Sequence, residues 1–202
     1  MPALNRVVGR YLFLFLVVLV AWPLAVSAQD QRIDDELGDS SPIVIPLKEA
    51  LGDVKFNEAI NSGEYKYTGN LKCRLCHRDF FKGRKRDPHV HTFKKSIKKK
   101  YYNEARCLAC HTTGYGVKTG FTSVKKTPKL VNVQCEGCHG PGSKHIENVH
   151  DGGFLAGPDR PDLIKKMCHA CHNSRWNKSF TDKNFEDVYD AYAAPDIELP
   201  VE

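Results

Sequence analysis

The chain has 202 residues, a formal charge of +6 and eight cysteines, a length that fits one domain. It holds no G-x-G-x-x-G, no G-x-S-x-G and no H-E-x-x-H, so dinucleotide binding, nucleophile-elbow hydrolysis and zinc proteolysis lack their motifs. The hydrophobic fraction of 41% and the mean hydropathy of −0.45 are low for a chain that must build a core from its own side chains.

Residues 1–28 read as a secretory signal peptide. Arg6 and Arg10 make a basic start, YLFLFLVVLVAW (Tyr11 to Trp22) is an apolar run, and VSA ends at Ala28 as a small-residue cleavage site. The run is short for a membrane span; an uncleaved anchor is the alternative. No cysteine lies near the site to take a lipid. The mature protein is then expected in the periplasm or outside the cell, without a transmembrane segment, where nucleic acid is not an expected partner. Residues 29–66 carry neither cysteine nor histidine and read as an N-terminal arm that packs on the main domain or on a partner. Within it, SSPIVIPL (Ser40 to Leu47) is β-branched with two prolines and is predicted to be extended.

Residues 67–180 form the main domain. Its cysteines fall only in pairs: Cys73 and Cys76, Cys107 and Cys110, Cys135 and Cys138, Cys168 and Cys171. A histidine follows each pair at once: His77, His111, His139 and His172. CRLCH, CLACH, CEGCH and CHACH are therefore four copies of C-x-x-C-H, the attachment pattern of c-type haem. Two thiols add to the two vinyl groups of one haem, and the next residue brings an imidazole under the ring as proximal iron ligand. Zinc ribbons and redox dithiols also use C-x-x-C, but neither needs a histidine after every pair. Four covalently attached haems are expected. A chain of this length cannot wrap a separate apolar core around each ring, so the macrocycles themselves form most of the core.

The second axial position separates a carrier from a small-molecule site. Met1 lies in the signal and Met167 abuts Cys168, so methionine is a poor candidate. The remaining histidines are His89, His91, His145, His150 and His169. The expected fold is mostly α, a haem-cored tetrahaem cytochrome with short helices at the attachment sites and long loops on the rings. Helices are expected around Phe93–Tyr102 and Leu163–Ala170.

ARCLACHTTGYG (Ala105 to Gly116) followed by VQCEGCHGPGSKH (Val133 to His145) resembles the cytochrome c-554 family of tetrahaem cytochromes, over roughly Tyr67 to Asn173. The resemblance implies a c-554-like fold and a set of distal ligands. His89, a dozen residues after His77 and with Phe93 as an apolar packing residue, is implied to pair with His139. His145, after G-P-G, is implied to pair with His77. The family's histidine before the last C-x-x-C-H is missing from DLIKKMCHACH, and His150, upstream, is the candidate for His172. The haem on His111 is implied to be five-coordinate. His91 is then a spare histidine: a ligand to that haem in the same chain, a ligand to a neighbouring molecule, or a solvated side chain. If its segment is helical, His89 and His91 point in different directions; if extended, they share a face. Gly137, Gly140 and Gly142 suit either close approach to a ring or an ordinary turn. His169, between two cysteines of one site, is expected to be exposed.

KGRKR (Lys82 to Arg86) and KKSIKKK (Lys94 to Lys100) flank His89 and His91. A basic rim there either steers an acidic redox partner or balances haem propionates. Residues 181–202 read as a C-terminal tail, acidic with aromatics from Asn184. The expected function is single-electron transfer between redox proteins, without substrate turnover. Two alternatives stand beside it: a filament subunit whose His91 completes a neighbour's haem, and a reductase of a small molecule such as nitric oxide at the haem on His111.

Overall fold

The computed structural model describes residues 40–151, 153–157, 159–173, 175–176, 186–187 and 189. The expected signal peptide and most of the C-terminal tail lie outside the described residues. The fold is mostly helical, and no strand occurs among the described residues; an isolated antiparallel bridge joins Thr112 to Val131. Nine short α-helices follow in order among the described residues: α1 Pro46–Leu51, α2 Asp53–Asn61, α3 Asn70–Cys73, α4 Arg78–Gly83, α5 Thr92–Ser96, α6 Ala105–His111, α7 Cys135–His139, α8 Ser143–Glu147 and α9 Pro161–Cys171. Single 3-10 turns cover Arg84–Arg86, Pro88–His91, Lys99–Tyr101, Pro128–Leu130 and Val149–Asp151. Among the described residues, no helix is long and apolar enough to cross a membrane.

The extended stretch expected over Ser40 to Leu47 ends earlier. Ile45 is extended (φ −109, ψ 107), and α1 starts at Pro46. Proline fixes φ near the helical value and lacks only an N–H that the first turn leaves unbonded anyway, so Pro46 opens the helix. Gly52 closes it with φ 76, a left-handed value that suits glycine, and then starts α2. Leu47 and Ala50 are buried on α1, which packs against α9 and its buried Met167.

The helix expected over Phe93–Tyr102 is interrupted. α5 stops at Ser96, Ile97 is extended (φ −105, ψ 127), and a 3-10 turn resumes at Lys99. Five lysines between 94 and 100 would lie near each other on a continuous helix and repel, and the break lets β-branched Ile97 enter the core. The helix expected at Leu163–Ala170 lies within α9.

Phe93 anchors an aromatic cluster, its ring 4.6 Å from Tyr102 and 6.2 Å from Phe121 between centroids. The long loop after α6 folds back over this cluster. The Thr113 amide donates to the Leu130 carbonyl (3.0 Å), and the Phe121 amide donates to the Thr113 carbonyl (3.0 Å). The Thr113 hydroxyl donates to the Asn132 carbonyl (2.8 Å) and accepts from the Gln134 amide (3.0 Å). Phe121 and Leu130 are thereby buried. Helices this short do not persist alone; their ends are held by loops of this kind.

Leu47, 2% exposed, is buried on α1 and lines the same cleft as Met167 of α9. Leu47→Ala is expected to cost about 2–5 kcal/mol of folding stability, measured by denaturant unfolding of the haem-loaded protein. A loss within error of zero would mean that α1 is not part of the folded unit.

Candidate haem-binding centre

All four C-x-x-C-H segments sit at helix ends or in single helical turns. Cys73 closes α3 and His77 precedes α4; His111 closes α6; α7 is the third motif itself; α9 closes at Cys171 and His172 follows as its C-cap. One helical turn is the local geometry that brings residues i and i+3 to the same side, which both thiols of a pair need. No two of the eight cysteines are joined by a disulfide.

Thiols of different motifs meet. Cys73 lies beside Cys135, and Cys110 beside Cys171, near enough for each thiol to perturb the other. The neighbouring Cys135, with burial, raises the Cys73 thiol, while Cys73 brings Cys135 down. Burial pushes Cys168 up to about 12. The first motif therefore lies beside the third, and the second beside the fourth. A cleft between the latter two is lined by Leu47, Tyr67, Cys110, Val133, Met167 and Cys171. Among the described residues, no group of three or more His, Cys, Asp or Glu side chains converges as a metal-ion cage.

The histidines meet in pairs instead. The rings of His77 and His145 face each other with centroids 6.2 Å apart and planes 22° from parallel. Nε2 of His89 lies 3.4 Å from Nε2 of His172, with ring centroids 5.7 Å apart and planes at 82°. A transition metal takes an imidazole nitrogen at about 2.0 Å, so two nitrogens across one metal stand about 4 Å apart. The facing nitrogens of His89 and His172 come somewhat closer than that span, and the rings of His77 and His145 lie near enough to share one metal. Burial lowers the pKa of His111, His139 and His172 below the ordinary imidazole value, which favours the neutral, ligating form. Nδ1 of His139 and of His145 are buried without a hydrogen-bond partner, and both rings pack against Phe154 at 5.7 and 4.8 Å. These residues fit c-type haem.

His145 stands beside His77. His89 stands opposite His172 and not opposite His139. The reason is local. Asp87 caps the 3-10 turn Pro88–His91, its Oδ1 accepting from the His89 amide (2.9 Å) and lying 3.0 Å from His89 Nδ1. That grip fixes the ring toward His172. His150, the candidate for His172, is exposed on another turn, its amide 3.3 Å from Asn148 Oδ1. The turn carrying His89 and His91 is 3-10, which sets the two side chains about 240° apart. His91 is exposed, with Nε2 2.9 Å from the Lys85 carbonyl. His169 is exposed, as expected.

Three supporting residues escape a reading of the sequence. The Thr92 hydroxyl lies 2.6 Å from Nδ1 of His111. Asp87 holds His89, and its Oδ2 lies 2.5 Å from Arg84 Nη2. Burial opposes ionisation of Asp87, yet hydrogen bonds from His89 and the charge of Arg84 hold its carboxyl well below the usual range. Asp-Pro before the two histidines is the N-cap signal that points to Asp87. Glu136, inside the third motif, is fully buried. It accepts from the amides of Thr68 (2.9 Å), Gly69 (2.7 Å) and Gly142 (2.8 Å) and from the Thr68 hydroxyl (3.1 Å). A Cβ on Gly142 would come 2.9 Å from the Phe154 ring and 3.3 Å from Glu136 Oε1, so this glycine serves close approach.

Paired thiols in helical turns, each followed by an imidazole, are the arrangement by which a c-type cytochrome holds its haem. Residues 72–140, which span the first three motifs, match the cytochrome c554 and c-prime family. The chain is similar to cytochrome c-554 from Nitrosomonas europaea, 30% identical over 134 residues, which cover 52% of this chain and 57% of that protein. The chain thus spans a little over half the length of this curated relative. No solved structure matches the chain.

Glu136→Gln keeps the size of the side chain but turns one acceptor oxygen into a donor facing backbone N–H groups. The expected loss is about 1–3 kcal/mol, read as a lower unfolding midpoint of the haem-loaded protein with its haem content unchanged.

Proposed function

We propose that the chain is an exported tetrahaem c-type cytochrome that carries single electrons between redox proteins. Cys73 and Cys76, Cys107 and Cys110, Cys135 and Cys138, and Cys168 and Cys171 each hold one haem. His77, His111, His139 and His172 are the proximal ligands, and His145 and His89 are distal ligands to the haems on His77 and His172. The observation that carries this reading is the meeting of two imidazole pairs from distant parts of the chain, His77 with His145 and His89 with His172. Two imidazoles per iron suit electron transfer, since they leave that iron no free position.

The meetings of Cys73 with Cys135 and of Cys110 with Cys171 support closely spaced haems and internal electron passage. Lys94, Lys95, Lys98 and Lys99 are exposed beside α5 and suit an acidic partner. The filament alternative rests on His91, which is exposed but would have to release the Lys85 carbonyl.

The test is haem quantification with ferric EPR on the purified, dilute protein. Four haems per chain are expected, those on His77 and His172 low-spin, and His145→Ala should convert one haem to high-spin. Fewer than four haems, or an unchanged spin state in His145→Ala, would refute the ligand assignment. Electron-transfer rates to an acidic acceptor should fall with rising salt as the charges are screened; salt-independent rates would remove the basic surface from the docking account.

A further inference from the structure

The segment from Arg84 to Thr92 does more than supply a histidine. Asp87 is nearly buried, with its side chain 8% exposed. One of its oxygens meets both the amide and Nδ1 of His89, at 2.9 and 3.0 Å. A carboxylate can only accept, so the ring proton sits on Nδ1 and the Nε2 lone pair is directed at His172, 3.4 Å away. The contrast within the same segment is Thr92, whose neutral hydroxyl meets Nδ1 of His111 at 2.6 Å. Two imidazoles therefore receive different support, one anionic and one neutral.

We propose that Asp87 is a positioning residue that orients His89 and lowers the reduction potential of the haem held by Cys168 and Cys171. The inference rests on the reading of His89 as a ligand of that haem. A ring that donates its far N–H to a carboxylate is a stronger electron donor at its ligating nitrogen. Stronger donation stabilises the ferric state over the ferrous state, so the one-electron reduction becomes less favourable; hydrogen bonding to an axial ligand is one of the levers by which a protein sets haem potential. Thr92, a neutral acceptor, exerts less of this effect on the haem at His111. The two sites adjoin through Cys110 and Cys171, so the difference sets a direction between them, with the haem on His111 the higher in potential.

The test uses the haem-loaded Asp87→Asn variant, whose side-chain oxygen still caps the His89 amide, in a spectroscopic redox titration with ferric EPR. One of the four haems is expected to become about tenfold or more easier to reduce, equal to about 59 mV for a one-electron couple, and its low-spin g-values should move. The charge of Asp87 also reaches Cys138, so the haem on His139 reports the through-space effect of losing that charge; a shift there as large as at the haem on His172, with unmoved g-values, overturns the proposal. His89→Ala separates the proposal from the reading beneath it. If His89→Ala turns one haem high-spin while Asp87→Asn leaves all four potentials unchanged, the role of Asp87 is refuted and the ligand assignment stands. If His89→Ala leaves every haem low-spin, both fall.

Discussion

His77 and His145 come within 6.2 Å between ring centroids although most of the domain's sequence lies between them. Holding two polar rings face to face costs orientational freedom in both, so the chain around them must be tied down. The tie is Glu136. Buried inside the third motif, it gathers the amides of Thr68 and Gly69, which lead into α3 and the first motif, and the amide of Gly142, which leads into α8 and His145. A buried carboxylate without such donors would be strongly unfavourable. With them, it becomes the point at which the strands of chain carrying both imidazoles are fixed relative to each other. The G-P-G stretch follows from the same need. Gly142 is bare because Phe154 and the carboxylate occupy the space where its Cβ would lie.

The apolar side chains take a secondary part. They gather under α1 and α9 and around Phe93, but the helices they join are only a few residues long. Short helices have too few internal hydrogen bonds to offset the cost of nucleation. The low hydropathy of the chain and the brevity of its helices are consistent with each other. Both describe a chain that positions thiols and imidazoles and leaves much of its interior to the groups they hold.

The attachment motifs were legible because their geometry is local: a pair of thiols and a histidine within one helical turn needs no knowledge of the rest of the fold. His145 follows the third motif at a short distance across G-P-G, and its ring meets that of His77. The meeting of His89 with His172 was not legible in the spacing. Sequence spacing says how far a histidine lies from a motif, whereas the choice between His139 and His172 is made by the Asp87 cap, which aims the ring. The lysine run after Phe93 read as helix because its spacing allowed one; charge repulsion and the burial of Ile97 broke it. Pro46 falls within a stretch whose β-branched residues and two prolines predict an extended chain, yet at the first position of a helix it opens one. In each case a tertiary contact or a capping position overrode local pattern.

Support of the ligands is uneven along one segment, and that unevenness has a mechanical consequence. Asp87 and Thr92 lie five residues apart, at the two ends of the 3-10 turn that runs directly into α5, and they grip His89 and His111 respectively. Phe93, the next residue, is almost wholly buried, and its amide is bound by Asn132 Oδ1 at 2.9 Å. The Val133 amide in turn donates to the His89 carbonyl at 3.2 Å. The segment is thus clamped on its far side by the same loop that leads into the third motif. Ligands held by hydrogen bonds that are themselves anchored in packed structure keep their geometry when the charge at the metal changes. Asp87 and Thr92, at the two ends of one turn, are thereby held in place together instead of on separate loops.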